Sequence, residues 1–203
     1  VLKAIAKSKA EYRKTLVAAQ NSAQFPMRPE RILKDLRDVL PRDGYVVADV
    51  GWNKNGVGQQ FDIYEPGTFV APGGLCTMGY GPSAAIGVKV ANPDKKVVAL
   101  IGDGGMGTNV SPFATGAMDN VAVVWVVMNN CAFGTIAGLE GQHYDHQFGT
   151  LFMRDGQPYS PDFAAIAEGY GIKGYQITRA EDFKPTLQKA LDSNEPCVID
   201  VRM

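Results

Sequence analysis

Cysteine, histidine and long apolar runs are scarce in this chain, and each scarcity closes off a class of protein. The three cysteines, Cys76, Cys131 and Cys197, are odd in number and far apart, so neither a disulfide framework nor a zinc cluster is indicated. A reducing cytoplasm is the expected setting. No stretch is apolar for long enough to span a bilayer, and no basic-then-apolar leader stands at the start. The formal net charge of −1 offers no general attraction to nucleic acid or to an anionic membrane surface, so neither is an expected partner. Internal repeats and low-complexity tracts are missing as well. Val1 stands where an initiator Met would, which points to a processed chain or a piece of a longer one.

What remains is a globular composition: 203 residues, 45% hydrophobic and 20% charged, enough to bury a substantial core. Residues 1–25, rich in Lys, Ala and Gln, carry only a weak helical pattern and read as a helical linker or arm. Residues 26–203 read as one domain. Pro29 sits near a helix start, and Ile32, Leu33, Leu36, Val39 and Leu40 share one face until Pro41. Asp43-Gly44 then turns the chain into a strand at 45–49. Residues 81–90 form a helix stopped by Asn92-Pro93, and 97–101 is a continuous apolar run, as in a strand covered on both faces. Pro112 opens another helix before a second buried strand at 121–128. Ser160-Pro161-Asp162 starts a helix, and strands at 175–177 and 197–201 flank one more. Strands alternating with helices predict a doubly wound, mostly parallel α/β sheet with helices on both faces.

Two polar anchors stand at the ends of the buried strands. Gly102-Asp103-Gly104-Gly105 ends the first, where open α/β sheets bind ligands. Glycines at 102, 104, 105 and 107 let the backbone approach a phosphate, and Asp103 is free to bind magnesium, which prefers oxygen ligands shared with phosphates. A plain strand-to-helix turn, with Asp103 as a cap, explains the same residues. Asn129-Asn130 ends the second strand: one amide can hold the turn while the other coordinates a cation. Gly134 follows and again allows backbone approach.

Gly-Asp-Gly followed some two dozen residues later by Asn-Asn resembles the signature of thiamine-diphosphate enzymes. Over residues 26–203 the chain is similar to the C-terminal, diphosphate-binding domain of the acetolactate synthase, pyruvate oxidase and benzoylformate decarboxylase group. The stretch from Gly73 to Gly87, through Cys76 and Met78, is close to the family's Gly-rich run ahead of a small-residue helix, and Asp49-Val50-Gly51 and Pro161-Asp162-Phe163 match familiar places. The resemblance implies that Asp103, the Asn130 side chain and the Ala132 carbonyl ligate Mg2+. It also implies that Gly102, Gly104, Gly105, Phe133 and Gly134 belong to the thiamine diphosphate site. Met78 would prop the cofactor in its bent form, and the Cys76 backbone would accept from the pyrimidine amino group.

The implied substrate is a small 2-oxo acid, decarboxylated with or without carboligation. The activating glutamate belongs in this family to a separate pyrimidine-binding domain. No such domain is found here, so no catalytic residue is assigned, the chain alone is expected to be inactive, and a homo-oligomer is expected. Glu140 stands in the wrong place for that role. Gly51-Trp52-Asn53 replaces the Gly-Gln-His of acetolactate synthases, which leaves the substrate open. His143 and His146 read as part of a loop over the cofactor more readily than as a metal pair. Cys131 reads as a packing residue. Alternatives are a subunit of a split 2-oxo acid decarboxylase, a non-catalytic cofactor-binding homologue and, more weakly, a dinucleotide-binding dehydrogenase.

Overall fold

A computed structural model describes residues 1–203. Helix α1 (Leu2–Gln20) leads to α2 (Pro29–Val39), strand β1 (Tyr45–Ala48), α3 (Trp52–Gln60) and β2 (Phe69–Val70). Next come α4 (Tyr80–Ala91), β3 (Val97–Gly102), α5 (Asp103–Thr108), α6 (Pro112–Met118) and β4 (Val123–Asn129). The chain continues through α7 (Gly134–His143), a small antiparallel hairpin of β5 (Met153–Arg154) and β6 (Gln157–Pro158), and α8 (Phe163–Gly169). It closes with β7 (Lys173–Ile177), α9 (Ala180–Ser193) and β8 (Cys197–Arg202).

Six strands form one sheet in the order β2-β1-β3-β4-β8-β7, and every neighbouring pair is parallel. The expected parallel α/β fold is therefore present, with helices packed around the sheet. The inner strands explain why: every residue of β4 is buried, and in β3 only Gly102 is not, so both faces need cover. Trp125 anchors the middle of β4. Its ring stacks edge-on to Phe113 at 5.1 Å, and its indole N–H donates to the Pro82 carbonyl at 3.2 Å. Helix starts follow the chemistry of their first residues. Pro29 and Pro112 occupy first-turn positions, and Asp162 accepts the Ala165 N–H at 2.9 Å as the cap of α8.

Three helices lie where the sequence pattern gave none. α3, α5 and α7 are glycine-bearing segments with little intrinsic helical preference, held by contacts. In α3 the Trp52 ring covers Gly56 so closely that an added Cβ would meet Trp52 Cη2 at 2.6 Å. In α5 the anchor is Met106, which is wholly buried. α7 corrects the expectation of a loop around His143, which ends that helix. No helix is long and apolar enough to cross a membrane.

The sheet order puts the ligand-binding edge in view. From β1 the chain moves outward to β2, then returns to the other side of β1 as β3 and continues to β4. Loops leaving β1 and β3 therefore part in opposite directions, opening a crevice above their carboxyl ends.

Candidate cofactor site

Asp103 follows β3 directly and opens α5 with its carboxylate turned inward, 2% exposed. One oxygen, Oδ1, accepts the Gly104 N–H at 3.0 Å, and the Cys131 and Ala132 N–H groups approach the same carboxylate. The other, Oδ2, is buried with no partner. Burial pushes this carboxyl up to about 6, against the opposing pull of those backbone donors. A buried carboxylate oxygen without a donor is costly unless something else satisfies it, and a cation does so directly.

Gly104 and Gly105 form a floor that admits no side chain. A Cβ on Gly104 would lie 2.7 Å from Phe133 Cε1 and 3.1 Å from Met78 Cε. A Cβ on Gly105 would lie 2.0 Å from Asp49 Oδ2. Asp49, just past β1, is buried and accepts the Gly79 N–H at 3.0 Å and the Gly81 N–H at 3.4 Å. It thus ties the strand end to the Gly-rich run carrying Met78. Gly79, at φ +80°, makes the turn into α4, and its carbonyl accepts from Asn109 Nδ2.

The adjacent asparagines divide their work. Asn129, the last residue of β4, is wholly buried. Its Nδ2 donates to Asp200 Oδ1 at 3.0 Å and its Oδ1 accepts from Arg202 Nη1 at 2.9 Å. Asn130 faces the cleft instead. Cys131 then turns the backbone at φ +56°, and the Ala132 and Phe133 segment is pinned by Phe133 N–H to Thr150 O and Phe152 N–H to Cys131 O, both 2.8 Å.

These pieces enclose an open cleft of about 110 Å³. Met78, Gly102, Asp103, Gly104, Gly105, Asn130, Ala132, Phe133 and Gly134 all line it. Cys76 does not. Its sulfur takes a hydrogen bond from Lys54 Nζ at 3.1 Å, and its own S–H points to the Pro72 carbonyl. His143 and His146 are exposed and away from the lining. Glu140 is occupied elsewhere, accepting from Thr150 Oγ1 at 2.7 Å and the Phe148 N–H at 3.2 Å.

In the sequence Trp52 and Asn53 stand out only as a departure from the family pattern, and Thr135, Ile136 and Met203 carry no motif. All five line the cleft. The signal available was position: each follows a strand end, within the first turn of the next helix or just past β8.

A family model described as thiamine pyrophosphate enzyme, C-terminal TPP binding domain, matches residues 49–201. The chain belongs to that family. The probable acetolactate synthase large subunit of Methanocaldococcus jannaschii is 32% identical over 197 residues, which cover 94% of this chain and 33% of that protein. The acetolactate synthase isozyme 3 large subunit of Escherichia coli K12 is 30% identical over 178 residues, covering 86% and 30% respectively. A thiamine diphosphate-dependent 4-hydroxybenzoylformate decarboxylase from Rhodococcus jostii RHA1 superposes with a TM-score of 0.81 at 27% identity, over 90% of this chain and 33% of that one. This TPP-binding domain thus spans about a third of the length of the relatives it matches.

Proposed function

We propose that this chain holds the diphosphate and Mg2+ end of thiamine diphosphate in an acetolactate-synthase-like enzyme acting on 2-oxo acids. The observation that carries the reading is the buried, unpartnered Asp103 Oδ2 beside the side-chain-free floor at Gly104 and Gly105. Asp103, the Asn130 amide oxygen and the Ala132 carbonyl are the cation ligands in this reading. The oxygen-only donor set suits magnesium.

The backbone of Gly104, Gly105 and Gly134, which lines the cleft, would face the diphosphate, and the Met78 side chain would sit under the bent cofactor. Bound there, thiamine diphosphate supplies the electron sink that lets a 2-oxo acid lose carbon dioxide. The chain's own part is positional. It fixes the cation, whose charge would offset that of the diphosphate, and presents an apolar wall of Met78, Met128, Met203 and Trp52.

Asp103 is the sole carboxylate lining the cleft, so the group that activates the cofactor belongs to residues beyond these. We assign it to a pyrimidine-binding domain of the same or another chain, with residues 26–203 as the diphosphate domain, residues 1–25 as an arm, and the assembly a homo-oligomer. Three unpaired thiols fit a cytoplasmic setting.

Calorimetry with thiamine diphosphate and Mg2+ tests the site. Wild type is expected to bind and Asp103→Ala to lose cation-dependent binding; equal binding by both would sink the assignment. Assay with pyruvate and benzoylformate, in the presence of the pyrimidine-binding domain, separates carboligation from simple decarboxylation.

A further inference from the structure

Beneath the cation-ligating loop lies a polar chain that the cofactor reading leaves unused. Asp200 and Arg202 are two apart on β8 and so share one face of the sheet. Asn129 on β4 is the register partner of Arg202, and the Met203 N–H extends the ladder to the Asn129 carbonyl at 3.0 Å. Asp200, buried to 1% exposure, is satisfied by Asn129 Nδ2 and by the Phe163 N–H at 3.2 Å. Asn129 passes the polarity on, because its oxygen accepts from Arg202 Nη1. That same nitrogen also reaches the Cys131 sulfur.

Cys131 is the residue between the proposed ligands Asn130 and Ala132, and it holds φ at +56°. A residue bearing a side chain adopts that left-handed conformation only when its surroundings impose it. Here the imposition comes from two sides. The 150–152 segment takes backbone hydrogen bonds above, and the Arg202 guanidinium grips the side chain below. Releasing the lower grip would free the turn that carries Asn130 and Ala132, which line the cleft together with Asp103.

We propose that Arg202 is a positioning residue for cation binding: by bridging Asn129 and Cys131 it locks the turn that presents Asn130 and Ala132 to the cation held by Asp103. This rests on the cofactor reading above. Because one nitrogen, Nη1, meets both acceptors, Lys at this position would keep the positive charge and enough donors, but on a stem one bond shorter and without the planar guanidinium.

The test is Mn2+ titration followed by electron paramagnetic resonance, with thiamine diphosphate present, on wild type, Arg202→Met, Arg202→Lys and Asp103→Ala. Partners outside the ligand set commonly tune metal affinity by about 10–100-fold, and a loss of that size is expected for Arg202→Met, with Arg202→Lys between it and wild type. The bound Mn2+ spectrum of the variants should also broaden as the ligand geometry loosens. Circular dichroism checks folding; if Arg202→Met does not fold, the Lys variant decides alone. Wild-type affinity and an unchanged spectrum in the folded Arg202 variants would overturn the positioning role. Absence of Mn2+ binding by wild type, or full binding by Asp103→Ala, would overturn the cofactor reading and the positioning role with it.

Discussion

Asp103 illustrates how a single side chain can oppose folding at a site proposed to hold a ligand. Its carboxyl sits at about 6 in the folded, cation-free protein, above the ordinary range near 3.9 of an unfolded chain. The folded state therefore holds that proton more tightly than the unfolded state does. The penalty is absent below about pH 4, grows between pH 4 and 6, and is complete above that. We predict that the contribution of Asp103 to cation-free stability falls as pH rises through this window, by roughly 2–3 kcal/mol. Asp103→Asn should remove most of that slope and raise stability at pH 7 while abolishing cation binding. Urea unfolding at pH 4, 5 and 7 without metal checks it; parallel pH profiles for the two proteins would refute it. The place of Asp103 in the cleft was legible from the sequence because carboxylate and glycines stood together at a strand end. The role of Asp49 was not: its match to the family pattern was visible, but its bond to the Gly79 N–H joins residues 30 apart.

At the level of elements, strands read more clearly than helices. β3 and β4 are uninterrupted apolar runs, and β8 carries its apolar residues around Asp200, so their burial was written in composition. α3, α5 and α7 were illegible because glycine, asparagine and glutamine hide any apolar stripe. They are helical because Trp52, Met106 and the N-terminal turn of α7 find contacts that only the assembled sheet provides. α1 poses the opposite case, a long helix with one buried residue, Leu16. Arg13 and Lys9 pair with Asp62, but exposed pairs add at most about 1 kcal/mol. Deleting residues 1–12 should therefore change the unfolding free energy by less than about 1 kcal/mol, whereas Leu16→Ala should cost about 2 kcal/mol. Denaturant midpoints of the two variants distinguish these outcomes, and a reversed ranking would mean the arm is packed more tightly than its exposure indicates.

For the whole molecule, the parallel sheet gathers every anchor onto one edge. The β1–α3, β3–α5 and β4–α7 junctions all open there, so cofactor binding joins loops that otherwise meet only through the sheet. A ligand that binds only the folded state stabilises it by mass action, about 2.7 kcal/mol at 100 times its dissociation constant. Thiamine diphosphate with Mg2+ at that level should raise the melting temperature by roughly 5–10 °C, and EDTA should reverse the rise. Scanning calorimetry with and without chelator reads the effect. A shift that survives EDTA would place the stabilisation away from the cation.

The position of β8 also governs the order of assembly. It is the last of the six strands along the chain, yet it lies between β4 and β7, inside the sheet. On a translating ribosome, β4 waits with one flank bare and β7 has no neighbour at all until residues 197–202 leave the exit tunnel. Asn129 waits with them, since two of its side-chain partners, Asp200 and Arg202, arrive on that strand. The earlier strands can begin to associate during synthesis, but the loop at 130–133 acquires its underside only once that strand is in place.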